Sequence, residues 1–437
     1  MKKILLTALS LCLLFTTTTV CGSGFNLYEH GAKGTSMGGA FTARSDDASA
    51  VFFNAASLAH LEGWNIYVGG SLIMPAVKFA GTDSFPGYGV EEETATRMFF
   101  PPAFYLAKRV NDRIGVGAGL YAPFAIGTEW DGDDFSGRYI SKLTELAGIY
   151  FTPAIGVKIN DRFSVGGSIN FVHSVLELRR VQTQTFNDHV WDVADLKITG
   201  DNGVAVSFDV SARAQLHPKV RAGLVYRHKV TNTYEGGEAK FTQILTGISA
   251  LDMAVANGLP RNTDGKHTIG IGTEVTFPWQ ITGGLMFQPN DKLFLEFDVI
   301  FWGWSEFDEL PFDFQGEKEE GDVNTPDNAL TVEDYEDSIQ LRFGMEYLAT
   351  EKLAVRAGYV YDESPVPDKS VSVLLPDADR NDFSFGVGYK IGAYDLDLGY
   401  MLVDFKERST NGKSNDNYNG TYQSIAHIYT LGLGYSF

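Results

Sequence analysis

The sequence predicts an all-β protein, a 14-stranded antiparallel transmembrane β-barrel plugged by a small N-terminal hatch. Three observations carry that expectation. Apolar residues alternate with polar or small ones through most of the chain after Trp64, the links between alternating segments are short and long by turns, and alternation runs to the last residue in I-Y-T-L-G-L-G-Y-S-F, 428 to 437. Period-two alternation marks a strand with two unlike faces. A soluble sandwich also alternates, but its apolar faces must share one core. Tight turns at one end and long loops at the other are the pattern of an outer-membrane barrel.

The first residues read as an address rather than as structure. Lys2 and Lys3 precede an apolar run from Ile4 to Phe15, then Thr16 to Thr19 and the small residues Gly22 and Ser23. That is a secretory signal, 1–22, with cleavage expected after Gly22. A lipid anchor on Cys21 is the rival reading, and Val20 before it is the wrong residue for one. The only cysteines, Cys12 and Cys21, both lie in this leader, so the mature chain is expected to hold no disulfide, thiolate metal site or cysteine nucleophile. Loss of Lys2 and Lys3 moves the formal charge from −20 to −22, which argues against nucleic acid and polyanionic partners. No later stretch approaches the ~18 uninterrupted apolar residues of a helical span, so a membrane location requires a closed barrel.

The barrel is expected over 64–437. Ile339, Leu341, Phe343, Met345 and Tyr347 interleave with Gln340, Arg342, Gly344 and Glu346; the same rhythm runs through Leu353–Tyr361 and Phe383–Ile391. Short links are expected at 110–113, 159–162, 217–219, 289–292, 350–351 and 392–393. Long ones are expected at 76–94, 123–145, 179–202, 231–266, 305–337, 363–381 and 405–424. Six short and seven long links join fourteen strands, the even number that single-chain bacterial barrels require. His267 to Phe287 keeps its apolar residues at odd positions throughout and is counted as one long strand, with a kink or bulge expected at Pro278. The last strand must close on the first, placing Phe437 at the periplasmic aromatic girdle.

Residues 23–63 do not alternate and are rich in Gly, Ala and Ser. Fourteen strands enclose a wider bore than side chains alone can fill, so this segment is expected inside the lumen as the hatch. Asp46 and Asp47 are expected to cap a short helix through Ala48 to Val51.

S-G-F-N-L-Y-E-H-G-A-K-G at 23–34, D-D-A-S-A-V-F-F-N-A-A at 46–56, W-S-E-F at 304–307, R-A-G-Y-V-Y-D-E-S-P-V-P-D at 356–368 and L-P-D-A-D-R at 375–380 together resemble the FadL long-chain fatty acid transporters and their TodX and XylN relatives. The resemblance covers nearly the whole mature chain. It implies that a hydrophobic ligand is captured by outer loops, moves to an inner site and leaves sideways where the third strand kinks inward. Phe25, Asp46, Asp47, Phe53, Asn54, Ala55 and Ala56 are the hatch residues of interest. One departure stands out: the family usually has Asn-Pro-Ala where this chain has Asn54-Ala55-Ala56.

The third strand is read as Arg113 to Ala122, with Gly115, Gly117 and Gly119 facing inward and Pro123 ending it. These glycines either permit the kink or make room for the hatch. In loop 231–266, Phe241, Ile244, Ile248, Leu251 and Val255 recur at helical spacing, widened by Leu245 and Met253. That stripe either packs on neighbouring loops or walls a capture groove. Inward Arg97, Arg213, Arg221, Arg227, Arg342 and Arg356 face Asp209, Glu274, Glu296, Asp298, Glu346 and Asp395, chiefly as ion pairs between hatch and wall. Arg138, Arg179 and Arg180, at loop bases, are the candidates for anchoring a carboxylate head group.

Gly34-Thr35-Ser36-Met37-Gly38 fits the hydrolase elbow G-x-S-x-G but lacks the strand and helix that motif needs. The histidines show no metal-ligand spacing, and Asp131-Gly132-Asp133-Asp134 reads as a solvated loop. No cofactor and no metal are expected. The expectation is a passive outer-membrane importer, not an enzyme, working as a monomer among lipopolysaccharide and outer-membrane lipid after handling by the barrel-assembly machinery. A general diffusion porin, a barrel lipase, and an importer of aromatic hydrocarbons remain as alternatives.

Overall fold

Fourteen antiparallel strands close into a ring in the computed structural model, which describes residues 24–27, 29–82 and 85–437. The expected leader, 1–22, lies outside the described residues. The strands are β1 (Trp64–Gly81), β2 (Pro102–Arg109), β3 (Ile114–Glu129), β4 (Leu143–Lys158), β5 (Phe163–Phe186), β6 (Ala205–His217) and β7 (Val220–Arg227). They continue with β8 (Gln280–Asn290), β9 (Leu293–Trp302), β10 (Ser338–Leu348), β11 (Leu353–Asp362), β12 (Arg380–Ile391), β13 (Tyr394–Phe405) and β14 (Gly420–Ser436). Each pairs with its neighbours in this order. The ring closes where β14 meets β1, from Asn65 opposite Ser436 to Gly81 opposite Gly420.

The last residue is held as firmly as the ladder before it. Phe437 donates its N–H to the Trp64 carbonyl (3.0 Å), accepts from the Trp64 N–H (2.7 Å), and its ring stacks on that indole. The outer face carries the expected apolar band, with Phe343, Tyr359, Phe385, Leu398 and Leu431 all exposed. Exposed aliphatic and aromatic surface of this extent is stable only against lipid.

Three expectations need correction. His267–Phe287 is two strands: Thr268–Phe277 pairs with Val230–Gln243 outside the ring, and β8 pairs with β7 and β9. Pro278 cannot donate to a ladder, and the chain turns over there. The odd residues Ile269, Ile271, Val275 and Phe277 are buried, whereas Ile281, Leu285 and Phe287 face outward. Parity continues while the face changes, which is why the phase concealed the break. Glu274, expected inward, is consequently exposed.

Second, much of the loops at 179–202 and 231–266 is strand. β5 runs on to Phe186 and returns as His189–Asp201, which pairs with Val230–Gln243. With Thr268–Phe277, Glu309–Asp313 and Ala329–Val332 these form an outer sheet that projects from the ring. Third, β3 does not end at Pro123 but resumes its ladder with β4 at Phe124 opposite Gly148.

Residues 29–61, apart from the exposed Asp46 and the partly exposed Lys33, Asp47 and His60, are buried and pack against inward-facing wall positions. Met37, Phe41, Val51, Phe53 and Leu58 belong to one cluster with Tyr67, Tyr105 and Tyr121 of the strands. Small wall residues make this fit possible: a Cβ on Gly117 would lie 2.6 Å from Val51, and one on Gly344 2.7 Å from the Met37 carbonyl oxygen.

Candidate functional site

The irregularity of β3 creates the site. Gly115, Gly117 and Gly119 face inward and leave room for Leu58, Val51 and Tyr105 respectively, so their smallness serves packing. The ladder to β4 slips beyond them, between Tyr121 and Phe124, where Pro123 has no N–H to give. On the other edge, the ladder to β2 stops at Phe104 opposite Leu120. From Tyr121 to Thr128 that edge of β3 has no neighbouring wall strand, because Phe99 and Pro101 bond to β1 instead.

The leading residues of the chain take the vacant place. Leu27 N–H donates to the Pro123 carbonyl (2.8 Å), Ala125 N–H donates to the Phe25 carbonyl (3.1 Å), and Asn26 sits opposite Phe124 as an antiparallel bridge. The Phe25 ring lies edge-on to Trp304, Phe307, Phe277 and Phe124 at centroid distances of 4.9, 5.4, 5.9 and 6.1 Å. Each such contact is worth about 0.5–1.5 kcal/mol beyond its buried area. Gly24 adopts φ 58° and donates to Asp377 (3.1 Å); a Cβ there would lie 2.5 Å from Trp304, so the approach needs glycine.

A cavity of about 380 Å³ lies against this seam. Its inner end is formed by Phe25, Leu27, Ile73, Val403 and Ile428, with Asn26, Glu29, Asp377 and Arg380 among the polar residues of the lining. Its outer end includes Phe100, Ile149 and Ile425, which are exposed on the outside of the barrel. An apolar cavity that reaches both lumen and lipid face fits a hydrophobic ligand.

A second cavity, about 240 Å³, lies among the outer strands, where Leu178, Leu196 and Ile198 face Leu310, Phe312 and Phe314. Arg179 and Arg180 lie on its lining. They sit on the projecting part of β5, not at a loop base. Arg179 pairs with Glu177, while Arg180 has no ion-pair partner among the described residues. Arg138 is committed elsewhere, gripping Asp192 with two bonds of 2.7 and 3.2 Å. Above this region Glu333 is buried near Asp416, and burial followed by that neighbouring carboxylate pushes its pKa up to about 8.

The wall holds the N-terminal segment through carboxyl, guanidinium and amide groups. Asp298 accepts from the N–H of Phe41 and of Thr42, both at 3.1 Å, and Glu296 from that of Ala43 at 2.6 Å and Arg44 at 3.3 Å. The Arg44 guanidinium meets Glu346 (2.6 Å), which also binds Arg356 (2.6 Å), which binds Asp397 (2.6 Å). Asp397, not the expected Asp395, completes that chain. Arg227 lies over the Phe52 ring and donates to its carbonyl oxygen.

Asn54 donates to the carbonyls of Thr42 (2.9 Å) and Ala212 (3.1 Å) and accepts from Ala56 N–H (3.1 Å), capping the 3₁₀ turn Ala55–His60. The helix expected at 48–51 lies at Ala50–Phe53. Asp47 makes a turn to Ser49, whose N–H it accepts at 2.8 Å, and Asp46 pairs with Lys33 and Arg44. Phe53 packs edge-on to Phe41 and Phe52. Ser36, of the G-x-S-x-G match, is fully buried and donates to the Ala32 carbonyl.

The apolar stripe in 231–266 lines neither cavity. Phe241 is on a strand, Ile244 donates to Val193, and only Leu251 and Val255 lie buried on the helix Ser249–Gly258, at whose start Ile248 sits. They pack with Leu196, Ile198 and Phe314, while Leu245 and Met253 are exposed. Sequence reasoning missed Phe25–Leu27 as a substitute strand, and Phe99. The pair Pro101-Pro102, which interrupts any ladder, was the available signal.

The family described as outer membrane protein transport protein (OMPP1/FadL/TodX) matches residues 13–437. An outer membrane protein of Neisseria meningitidis serogroup B is 28% identical over 442 residues, 94% of this chain and 92% of that one. The long-chain fatty acid transport protein of Escherichia coli O6:H1 is 24% identical, covering 98% of each chain. The crystal structure of a Pseudomonas aeruginosa FadL homologue superposes with a TM-score of 0.81 at 19% identity, over 95% of this chain and 100% of that one.

Proposed function

The chain belongs to the outer membrane protein transport family (OMPP1/FadL/TodX), and from that premise we propose that it imports long-chain fatty acids or similar amphiphiles by passive diffusion. Membership makes it an outer-membrane β-barrel of a Gram-negative bacterium that transports hydrophobic compounds and is not an enzyme. The ligand is taken up in the outer cavity, where Leu178, Leu196 and Ile198 receive the acyl chain and Arg179 and Arg180 attract the carboxylate. It then reaches the inner cavity and leaves through the seam beside β3. The 24–61 segment acts as the hatch, and residues 25–27 are its latch.

The observation that carries this reading is the stretch of β3 from Tyr121 to Thr128 that pairs with no wall strand but β4 among the described residues, and that Phe25–Leu27 meets at Pro123–Ala125. The two backbone hydrogen bonds of the latch are worth about 1 kcal/mol each net, so the edge-on contacts of the buried Phe25 ring carry most of what opening must break. Sideways exit keeps each methylene out of water, at about 0.8 kcal/mol per CH₂. A general diffusion porin would need an open bore, whereas here the bore is packed with residues 29–61. The relative from Escherichia coli that is a long-chain fatty acid transport protein supports the same substrate class. Lipopolysaccharide and outer-membrane lipid bathe the exposed band, and Phe437 is the residue offered to the assembly machinery.

The test is uptake of labelled oleate by a Gram-negative host lacking its own importer. Expression of the chain should restore uptake, and Arg179→Gln/Arg180→Gln should lower it at limiting oleate while leaving barrel insertion intact. No restoration, with the barrel present in the outer membrane, would contradict the proposal.

A further inference from the structure

We propose that Phe99 sets the cross-section of the lateral passage and that Arg97 is the residue that positions it. This rests on the sideways-exit reading above. The Phe99 backbone is fixed to β1 by two hydrogen bonds with Ile73, of 2.9 and 3.0 Å. Its ring crosses the seam and lies on the bare backbone of Gly127, so closely that any Cβ at 127 would overlap it. Gly127 is the one glycine on the unpartnered edge of β3, so the ring rests where that edge can receive it.

Two cavities meet at this ring. The inner one, about 380 Å³, and an open cleft of about 670 Å³, which Arg97, Glu145 and Glu177 also line, share Phe99, Ala125, Ile126 and Ala147 in their linings. Anything passing between them slides between the Phe99 ring and the aliphatic side chains of Ala125, Ile126 and Ala147. Arg97 reaches over the same seam: its guanidinium lies 5.4 Å from the Phe99 centroid and pairs with Glu129 of β3 (3.2 Å) and with Glu145 of β4. These groups are partly exposed, so the pairs steady the ring without locking it. A slim, flexible chain can thread past; a rigid fused-ring compound must first displace Phe99.

Proteoliposomes holding the full mature chain can be offered oleate and pyrenebutyrate. Phe99→Ala should raise the pyrenebutyrate-to-oleate rate ratio by roughly tenfold, the scale on which pockets discriminate bulk, and Arg97→Ala should raise it less. Gly127→Ala, which displaces the ring without deleting it, should move the ratio the same way and serves if Phe99→Ala does not insert. A ratio unchanged in the variants, with oleate still carried, would overturn the role of Phe99 and leave sideways exit standing. Wild-type protein that carries neither probe would overturn both.

Discussion

Replacing Asn54 by alanine should unfasten the hatch. The side chain is fully buried and makes three hydrogen bonds: to Thr42 within the segment, to Ala212 on the wall, and from Ala56 as the cap of the 3₁₀ turn. Loss of a cap costs about 1 kcal/mol. Each of the two donated bonds contributes about 1 kcal/mol. The sum, about 3 kcal/mol, corresponds to roughly a hundredfold rise in the released population. Single-channel recording in planar bilayers reads that population directly, as brief ion-conducting openings that the plugged wild type shows rarely. The barrel itself should still migrate as a folded, heat-modifiable species, since its ladders are untouched. Openings no more frequent than in wild type, with the barrel folded, would refute the claim that Asn54 fastens the segment to the wall.

Other changes test separate parts. Ala55 is the first residue of the 3₁₀ turn, and Asn54 before it is extended at φ −167°, ψ 100°, outside the α region that a following proline disfavours. Ala55→Pro should therefore be tolerated and stabilise the turn by about 0.5 kcal/mol, measurable as slower hydrogen exchange over 55–61. Glu333 keeps its proton up to about pH 8 when the outer loops are packed, against an ordinary value of 4.5. The packed loops thus bind more protons than released ones between those values. Their packing is strongest below the ordinary value and weakens as pH rises through about 8. Hydrogen exchange over 330–337 should quicken from pH 6.5 to 9, and Glu333→Gln should remove that dependence beyond the intrinsic exchange rate.

Alternation and turn spacing made the ring legible, because lipid outside and plug inside impose opposite chemistry on successive residues such as Phe343 and Gly344. They could not separate wall from outer sheet. Ile269, Ile271 and Val275 alternate as faithfully under the outer sheet as Leu285 and Phe287 do against lipid, so parity alone cannot say which side is oily. The helical reading of Phe241 failed for a related reason: a short apolar run that is strand up to Gln243 and helix from Ser249 mimics one period. Anchors that join distant parts were only half visible. Arginines and carboxylates could be assigned to the lumen, but Arg138 spends its fork on Asp192. Residues 25–27 showed no period of their own, since three residues that borrow a ladder from β3 are too few to alternate, and the only hint lay elsewhere, in Pro101-Pro102.

The Asn26–Phe124 bridge is flanked by the bonds Leu27 to Pro123 and Ala125 to Phe25. That makes it a non-hydrogen-bonded pair, with Cα atoms about 4.5 Å apart and within reach of a disulfide. Cys12 and Cys21, the chain's own cysteines, precede the expected cleavage point, so Asn26→Cys/Phe124→Cys would introduce the mature protein's sole thiols. Oleate entry into proteoliposomes, measured oxidised and then after reduction, is the decisive comparison. Oxidised protein should carry almost none and recover on reduction; equal rates in both states would mean that the ligand does not leave where the first residues meet β3.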